Sequence, residues 1–152
     1  MLRRAALKIV QRYWRLTRGL TLGARGIVID AEGRMLLVRH TYMPGWTFPG
    51  GGVEYNEAIE SALDRELDEE VGVTRTGPAT LLGIYSNHVA FPGDHVAVYV
   101  IRDWRQTRPA TPNREIAEVG FFAPEQLPAD VSPGARRRIE EVLGKRPLQS
   151  GW

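Results

Sequence analysis

Cysteine is absent from this 152-residue sequence, and histidine occurs only three times, at His40, His88 and His95. Without cysteine there are no disulfides, no thiolate nucleophile and no cysteine-ligated zinc. Three scattered histidines do not predict an all-histidine metal cage. Any metal ion is therefore expected to be a hard cation held by oxygen ligands.

Long apolar runs are missing as well. The longest stretch without a charged residue, from Thr76 to Gly93, is interrupted by glycine and proline, so it does not predict a membrane span. Charges also interrupt residues 1–20 too often for the apolar region of a secretory signal. The sequence therefore predicts a cytoplasmic protein.

Acidic residues are absent from residues 1–25, which contain seven lysines and arginines, although the whole chain has a net charge of only +2. Apolar residues follow a helical period over residues 2–18, opposite the cations. The apolar positions are Leu2, Ala5, Ala6, Ile9, Val10, Tyr13 and Leu16. This predicts a basic amphipathic helix at residues 1–20, whose apolar stripe packs on the domain or on a second subunit of a homodimer. An anionic membrane surface bound through residues 2–18 is the alternative.

The rest of the chain mixes strand and helix patterns. Strands are predicted at 20–30, 34–40, 80–85, 95–103 and 118–122, and helices at 56–71 and 136–143. Strands that only partly alternate with helices indicate an α/β domain with a mixed sheet between helices. The predicted domain spans residues 21–145, and residues 146–152 are expected to form a loose tail. Because the basic residues are concentrated in the N-terminal arm, no nucleic-acid polymer is expected as a partner.

The helix predicted from Asn56 to Val71 carries acids where its apolar face should be. Glu66 and Glu70 fall in the middle of the apolar arc, and Glu69 falls on its edge. Two unit charges roughly 5 Å apart repel by about 3 kcal/mol at an effective dielectric near 20. Three such carboxylates therefore need protons or a cation, and oxygen-only ligands around an anionic cluster favour Mg²⁺ or Mn²⁺.

A glycine run, Gly50 to Gly52, enters this helix from the segment Trp46–Pro49. Without side chains, its backbone can approach a ligand closely and offer N–H and C=O groups to a phosphate or a metal ion. No lysine lies in this loop, so the nucleotide P-loop pattern does not apply. The loop and the acidic helix together predict a phosphate and metal site.

The segment from Gly51 to Val73 resembles the Nudix box. Gly51 is followed after five residues by Glu57, and after seven more by the run from Arg65 to Val73, which reads RELDEEVGV. The wider resemblance covers about residues 21–145. It implies a Nudix-type α/β/α sandwich with a mixed sheet, and Mg²⁺-dependent hydrolysis of a nucleoside diphosphate linked to another moiety, such as a nucleoside triphosphate.

The resemblance also implies roles for individual residues. Glu66, Glu69 and Glu70 would bind the divalent metal together with the carbonyl of Gly50, and Glu57 and Arg65 would form a supporting ion pair. A further catalytic glutamate is expected from a late loop, with Glu115 as first candidate and Glu118 as second. Either Glu66 or Glu115 would serve as the general base.

The substrate is not specified by the sequence, since the markers of family subgroups after the box are missing. Val89, Ala90 and Phe91 stand where dinucleoside-polyphosphate enzymes carry a tyrosine, and His88 and Val89 where ADP-ribose enzymes carry a proline. Predicted contacts to a small nucleotide are generic: Arg39, Trp46, Gly51, Gly52 and Phe91. The alternative function is a non-catalytic module that binds a nucleotide as a sensor, docked to a membrane or partner by the N-terminal helix.

Overall fold

The computed structural model describes Tyr13 and residues 16–152, and residues 21–142 of this described part contain nine strands and two helices. Most of the predicted N-terminal helix lies outside the described residues. The strands are β1 (Thr21–Val28), β2 (Met35–His40), β3 (Trp46–Thr47), β4 (Gly50–Gly52), β5 (Val73–Arg75), β6 (Thr80–Ser86), β7 (Asp94–Ile101), β8 (Trp104–Gln106) and β9 (Ile116–Phe122). The helices are α1 (Ile59–Val71) and α2 (Pro133–Val142). None of the described helices is long and apolar enough to cross a membrane.

The strands form three sheets, of which the largest has the order β4-β1-β7-β6. In this sheet β1 and β7 are parallel, whereas β4 and β6 pair antiparallel with their neighbours. A second sheet has the order β3-β2-β9, and β5 pairs with β8. The predicted mixed sheet is confirmed.

The two faces of β1 belong to two different hydrophobic clusters. Ala24 and Val28 pack with Leu63 and Leu67 of α1, whereas Ile27 lies in a cluster that includes Ala135 and Ile139 of α2. Successive side chains of a strand point to opposite faces, so a central strand can be buried on both sides. The sheet therefore lies between α1 and α2, and the predicted α/β/α sandwich is confirmed.

Helix α1 begins three residues later than the sequence predicts. Asn56, the first residue of the predicted helix, instead occupies a turn with φ of 64°, a conformation that asparagine tolerates. The N-cap is Ala58, whose side chain cannot accept a capping hydrogen bond. The predicted end is confirmed, because Gly72 adopts φ of 63° and donates its N–H to the Asp68 and Leu67 carbonyls.

Helix α2 also starts at a different residue from the predicted Arg136. Ser132 caps it, since its hydroxyl accepts from the Ala135 N–H, and Pro133 occupies the first turn.

The segment that follows α2 differs from the expected loose tail. The backbone carbonyl of Ser86 in β6 accepts a hydrogen bond from Trp152 N–H at 2.9 Å, and the Ser86 N–H donates one to the Ser150 carbonyl at 2.7 Å. This pairing is long-range in sequence, so local composition gives no sign of it.

Candidate active site

Helix α1 presents the three predicted carboxylates at different depths. The exposed fraction of the side chain is 6% for Glu70, 15% for Glu66 and 61% for Glu69. Both oxygens of Glu70 are hydrogen-bonded: Oε2 accepts from Gly50 N–H at 2.8 Å, and Oε1 lies 2.9 Å from His40 Nε2. Glu70 is therefore fixed between the glycine loop and the end of β2.

Glu66 is half-buried beside the guanidinium of Arg65, whose Nη1 donates to Glu66 Oε1 at 2.7 Å. Burial raises the pKa of Glu66 above its usual value, and the negative charges of Glu70 and Glu69 raise it further. The hydrogen bond from Arg65 acts in the opposite direction and lowers that pKa. The same Nη1 is 3.6 Å from Glu69 Oε2. One arginine thus offsets part of the repulsion that the helical spacing creates.

The loop that faces these carboxylates lies close to β1 at Gly50 and close to α1 at Gly51. Gly50 has φ of 138°, and a Cβ there would clash with the carbonyl of Ala24 on β1. A Cβ at Gly51 would lie 2.5 Å from the carboxyl group of Glu66. Glycine is therefore required at Gly50, whereas a side chain at Gly51 would displace the carboxyl group of Glu66.

The predicted supporting ion pair is present. Arg65 Nε donates to Glu57 Oε1 at 2.9 Å and Nη2 donates to Oε2 at 3.0 Å, while Nη2 also reaches the Gly52 carbonyl at 3.1 Å. The Arg65 hydrogen bond lowers the pKa of Glu57 below its usual value. This bidentate contact joins the loop before α1 to the middle of the helix.

Of the two late-loop candidates, Glu115 lies next to the helix carboxylates. An open cleft of about 310 Å³ is lined by Glu66, Glu69 and Glu70 together with residues 113–116. Asn113 Oδ1 accepts from the N–H groups of Glu115 and Ile116 and shapes this loop. Glu118 instead forms an ion pair with Arg39 on β2.

The donor chemistry of this cleft fits a divalent metal ion, although the carboxylates are turned toward other partners. Among the described residues, no three His, Asp or Glu side chains are arranged as a group that could hold a metal ion. Glu66 and Glu69 face Arg65, and Glu70 faces His40 and Gly50. Carboxylate and backbone oxygens are nevertheless the ligands that Mg²⁺ and Mn²⁺ prefer, and the charges on Glu66, Glu69 and Glu70 favour a cation between them.

A second, larger cleft of about 680 Å³ opens beside the same loop. His40 and Gly50, which line it, both contact Glu70, so Glu70 lies directly behind the wall of this cleft. Its walls come from β1, β4, the loop after β2, the loop between β6 and β7, the start of α2 and the C-terminal segment. The volume lies in the range typical of small-molecule sites.

Arg25 on β1 is a cleft residue that the sequence analysis missed. It is half-buried, its Nη1 donates to the Phe48 carbonyl at 2.7 Å, and it lines the larger cleft. Burial lowers its pKa, and the nearby charge of Glu70 opposes that shift. The sequence does contain one indication of this role, because Arg25 is a cation within a predicted strand of mostly apolar residues. A cation in such a strand is unusual unless it has a partner or a ligand.

The five predicted substrate contacts do not come together. Of the described residues, Gly51 and Gly52 line the larger cleft, whereas Arg39, Trp46 and Phe91 do not. Trp46 is buried and packs edge-on against Phe122, with ring centroids 4.9 Å apart, because β3 pairs into the core beside β2. Phe91 is exposed on the loop before β7.

Comparison with known proteins agrees with this geometry. The model of the NUDIX domain family matches residues 19–142. An 8-oxo-dGTP diphosphatase of Proteus vulgaris is 34% identical over 88 residues, which cover 54% of this chain and 76% of that protein. An RNA pyrophosphohydrolase of Coxiella burnetii is 43% identical over 58 residues, so the chain matches 38% of its own length but only 25% of that relative.

The solved structures that resemble this chain include a MutT NUDIX hydrolase from Burkholderia pseudomallei, with a TM-score of 0.70 and 27% sequence identity. That similarity covers 82% of this chain and 98% of the other. The family match spans most of the chain and includes the glycine loop, α1 and the carboxylates described above. The chain therefore belongs to the Nudix family and is a hydrolase of phosphoric anhydrides.

Proposed function

We propose that this protein hydrolyses the diphosphate bond of a small nucleotide, a nucleoside diphosphate linked to another moiety, by attack of water at phosphorus with Mg²⁺ or Mn²⁺. The observation that carries this proposal is the position of Glu70. It connects the acidic face of α1 to the wall of a nucleotide-sized cleft through Gly50 and His40. A phosphate chain in that cleft would lie against the carboxylates.

Glu66, Glu69 and Glu70, with the Gly50 carbonyl, would hold the metal. A bound divalent cation neutralises diphosphate oxygens and lowers the pKa of water. The contribution of Arg25 would be a positive charge in the cleft near the phosphates, opposite in sign to the substrate. Arg65 and Glu57 would fix the position of the loop relative to the helix. This is important because small displacements of catalytic groups lower the reaction rate strongly.

Two residues are candidates for the general base. Glu66 is the first, because its carboxyl lies directly against Gly51 at the junction of loop and helix. Glu115 is the second, because it faces the same small cleft from the opposite loop. Turnover of Glu66→Gln and Glu115→Gln separates them, since loss of the base costs typically 10²- to 10⁴-fold.

A small nucleotide is favoured over a polymer as substrate. The larger cleft holds about 680 Å³, enough for a nucleotide. Because relatives are named for 8-oxo-dGTP and for RNA, a discriminating substrate panel contains 8-oxo-dGTP, the common nucleoside triphosphates and 5′-triphosphorylated RNA.

The test is release of phosphate or pyrophosphate from this panel, with and without Mg²⁺. We expect Mg²⁺-dependent turnover of at least one mononucleotide by the wild-type protein and by Glu60→Gln, an exposed acid on the same helix. Nucleotide binding without turnover of any member would contradict the proposed substrate class.

A further inference from the structure

The C-terminal segment is held by a buried ion pair that the hydrolytic site does not use. Arg138 and Glu141 of α2 have fully buried side chains, with Arg138 Nη2 2.8 Å from Glu141 Oε1. The same Oε1 accepts from the Gln149 N–H at 3.2 Å, and Arg138 Nη1 donates to the Gly151 carbonyl at 2.9 Å. Both charges are therefore bonded to the backbone of residues 149–151.

Tyr85 of β6 completes this network. Its hydroxyl donates to Glu141 Oε2 at 2.8 Å, and the Arg138 guanidinium lies 3.8 Å from the centroid of its ring. Burying two charges is expensive, and replacing such a pair with apolar residues often does not destabilise a protein. What Arg138 and Glu141 provide here is a defined position for the segment that follows α2.

That position places Trp152 in the wall of the larger cleft. The indole stands edge-on to Tyr85, with centroids 6.3 Å apart, and packs so closely on Gly134 that a Cβ there would clash with it. Trp152 is half-buried. Its own N–H donates to the Ser86 carbonyl and the backbone just before it is held by the buried ion pair, so the ring is a rigid surface for stacking.

Trp152 lies away from the phosphate end of the cleft. Arg25 pairs with Val98, and Tyr85 pairs with Val96, so Arg25 and Tyr85 share one face of the sheet. With strands about 4.8 Å apart and a rise of about 3.3 Å per residue, their Cα atoms are separated by roughly 12 Å. That distance is comparable to the length of a nucleotide from its base to its phosphates.

Another aromatic side chain of the cleft, Tyr42, lies beside His40. Its ring is 5.1 Å from the ring of His40, which contacts Glu70. Tyr42 is thus beside the carboxylates, where the phosphates are placed, and Trp152 is beside the start of α2, where the rest of a nucleotide would extend.

We propose that Trp152 is the platform on which the nucleobase of the substrate stacks, and that Arg138 and Glu141 are positioning residues that hold it there. The proposal rests on the proposed function, because that function is what identifies the ligand as a nucleotide. Base stacking on an aromatic residue is tolerant of base identity, so the platform would set affinity for nucleotides as a class.

The direct test is quenching of tryptophan fluorescence by the four deoxynucleoside monophosphates, which carry a base but no anhydride bond. We expect quenching in the wild type and in Trp104→Phe, because Trp104 stacks on Phe121 outside the cleft. We expect no quenching in Trp152→Leu, and none by 2-deoxyribose 5-phosphate, which has no base. Quenching that persists in Trp152→Leu, or its absence in the wild type with all four nucleotides, would overturn the proposal.

Steady-state kinetics on a hydrolysed nucleotide gives a second readout. Trp152→Leu should raise KM at least about 5-fold with kcat little changed, whereas Trp152→Phe retains an aromatic ring and should restore KM. If the wild type hydrolyses nucleotides but Trp152→Leu keeps its KM, the platform is wrong and the proposed function stands. If the wild type hydrolyses none, the proposed function fails, and the quenching experiment still tests the platform.

Discussion

Replacing Glu70 with glutamine removes a charge without removing a heavy atom. The amide oxygen can accept from Gly50 N–H, and the amide nitrogen then meets His40 Nε2, which can accept if the ring proton moves to Nδ1. His40 Nδ1 is buried and has no hydrogen-bond partner among the described residues, so it can carry that proton without losing a bond. The hydrogen-bonding pattern therefore survives the substitution.

The stability cost of Glu70→Gln follows from these contacts. Bonds to a charged group contribute about 1.5–3 kcal/mol and neutral ones about 0.5–1.5 kcal/mol, so each of the two bonds loses about 1 kcal/mol and the two together about 2 kcal/mol. Weaker repulsion with Glu66 offsets part of it. For a domain of this size the melting temperature should fall by no more than about 4–8 °C.

The activity cost is expected to be much larger. Loss of one charge from the group that would hold the metal should lower kcat by at least about 100-fold. The assay is Mg²⁺-dependent release of phosphate or pyrophosphate, with Glu60→Gln as the matched control on the exposed side of α1. Near-normal turnover by Glu70→Gln would refute the site assignment, and a loss of stability far above the calculated value would show that Glu70 serves mainly to fold the loop.

Three further predictions concern metal, pH and the N-terminal segment. Millimolar Mg²⁺ or Mn²⁺ should raise the melting temperature of the wild type more than that of a variant with all three helix carboxylates changed to glutamine, because a cation that binds only the folded state stabilises it; equal shifts would indicate nonspecific ion effects. The hydrogen bond from Arg65 lowers the pKa of Glu57 in the folded state. The free energy of unfolding that this bond contributes is therefore present above the usual pKa of about 4.3 and is lost as the pH falls through the lowered pKa. The melting temperatures of the wild type and Glu57→Gln should therefore converge in acid, and a constant difference would count against this linkage. Deleting residues 1–19 should leave hydrolysis intact but lower stability or break a homodimer; if only the full-length protein sediments with anionic vesicles and stability is unchanged, membrane docking replaces packing.

The acidic helix could be predicted because its information is local. A wheel drawn from the sequence places Leu63 and Leu67 on the buried face and Glu70 among them, and all three are buried. Gly72 ends the helix as predicted, since a left-handed residue is required there. The start at Asn56 was wrong, because the preceding turn uses that residue in a left-handed conformation instead.

The cleft could not be predicted in the same way. Arg25 lies in it because β1 pairs with β4 and β7, and Trp152 because the C-terminal segment pairs with Ser86, contacts that are far apart in sequence. Trp46 was expected at the substrate as an aromatic residue that could stack a base, but its strand packs into the core. Aromatic residues in such segments have the same local pattern whether they face a ligand or a core.

The most direct test of the central claim is hydrolysis in ¹⁸O-labelled water, with the products analysed by mass spectrometry. Attack of water at phosphorus predicts one labelled oxygen in a phosphate-containing product, formed only with a divalent cation and strongly reduced in Glu70→Gln. Label in a product without phosphorus, which would require attack of water at carbon and cleavage of a C–O bond, would contradict the account, as would incorporation that is independent of both the metal and Glu70.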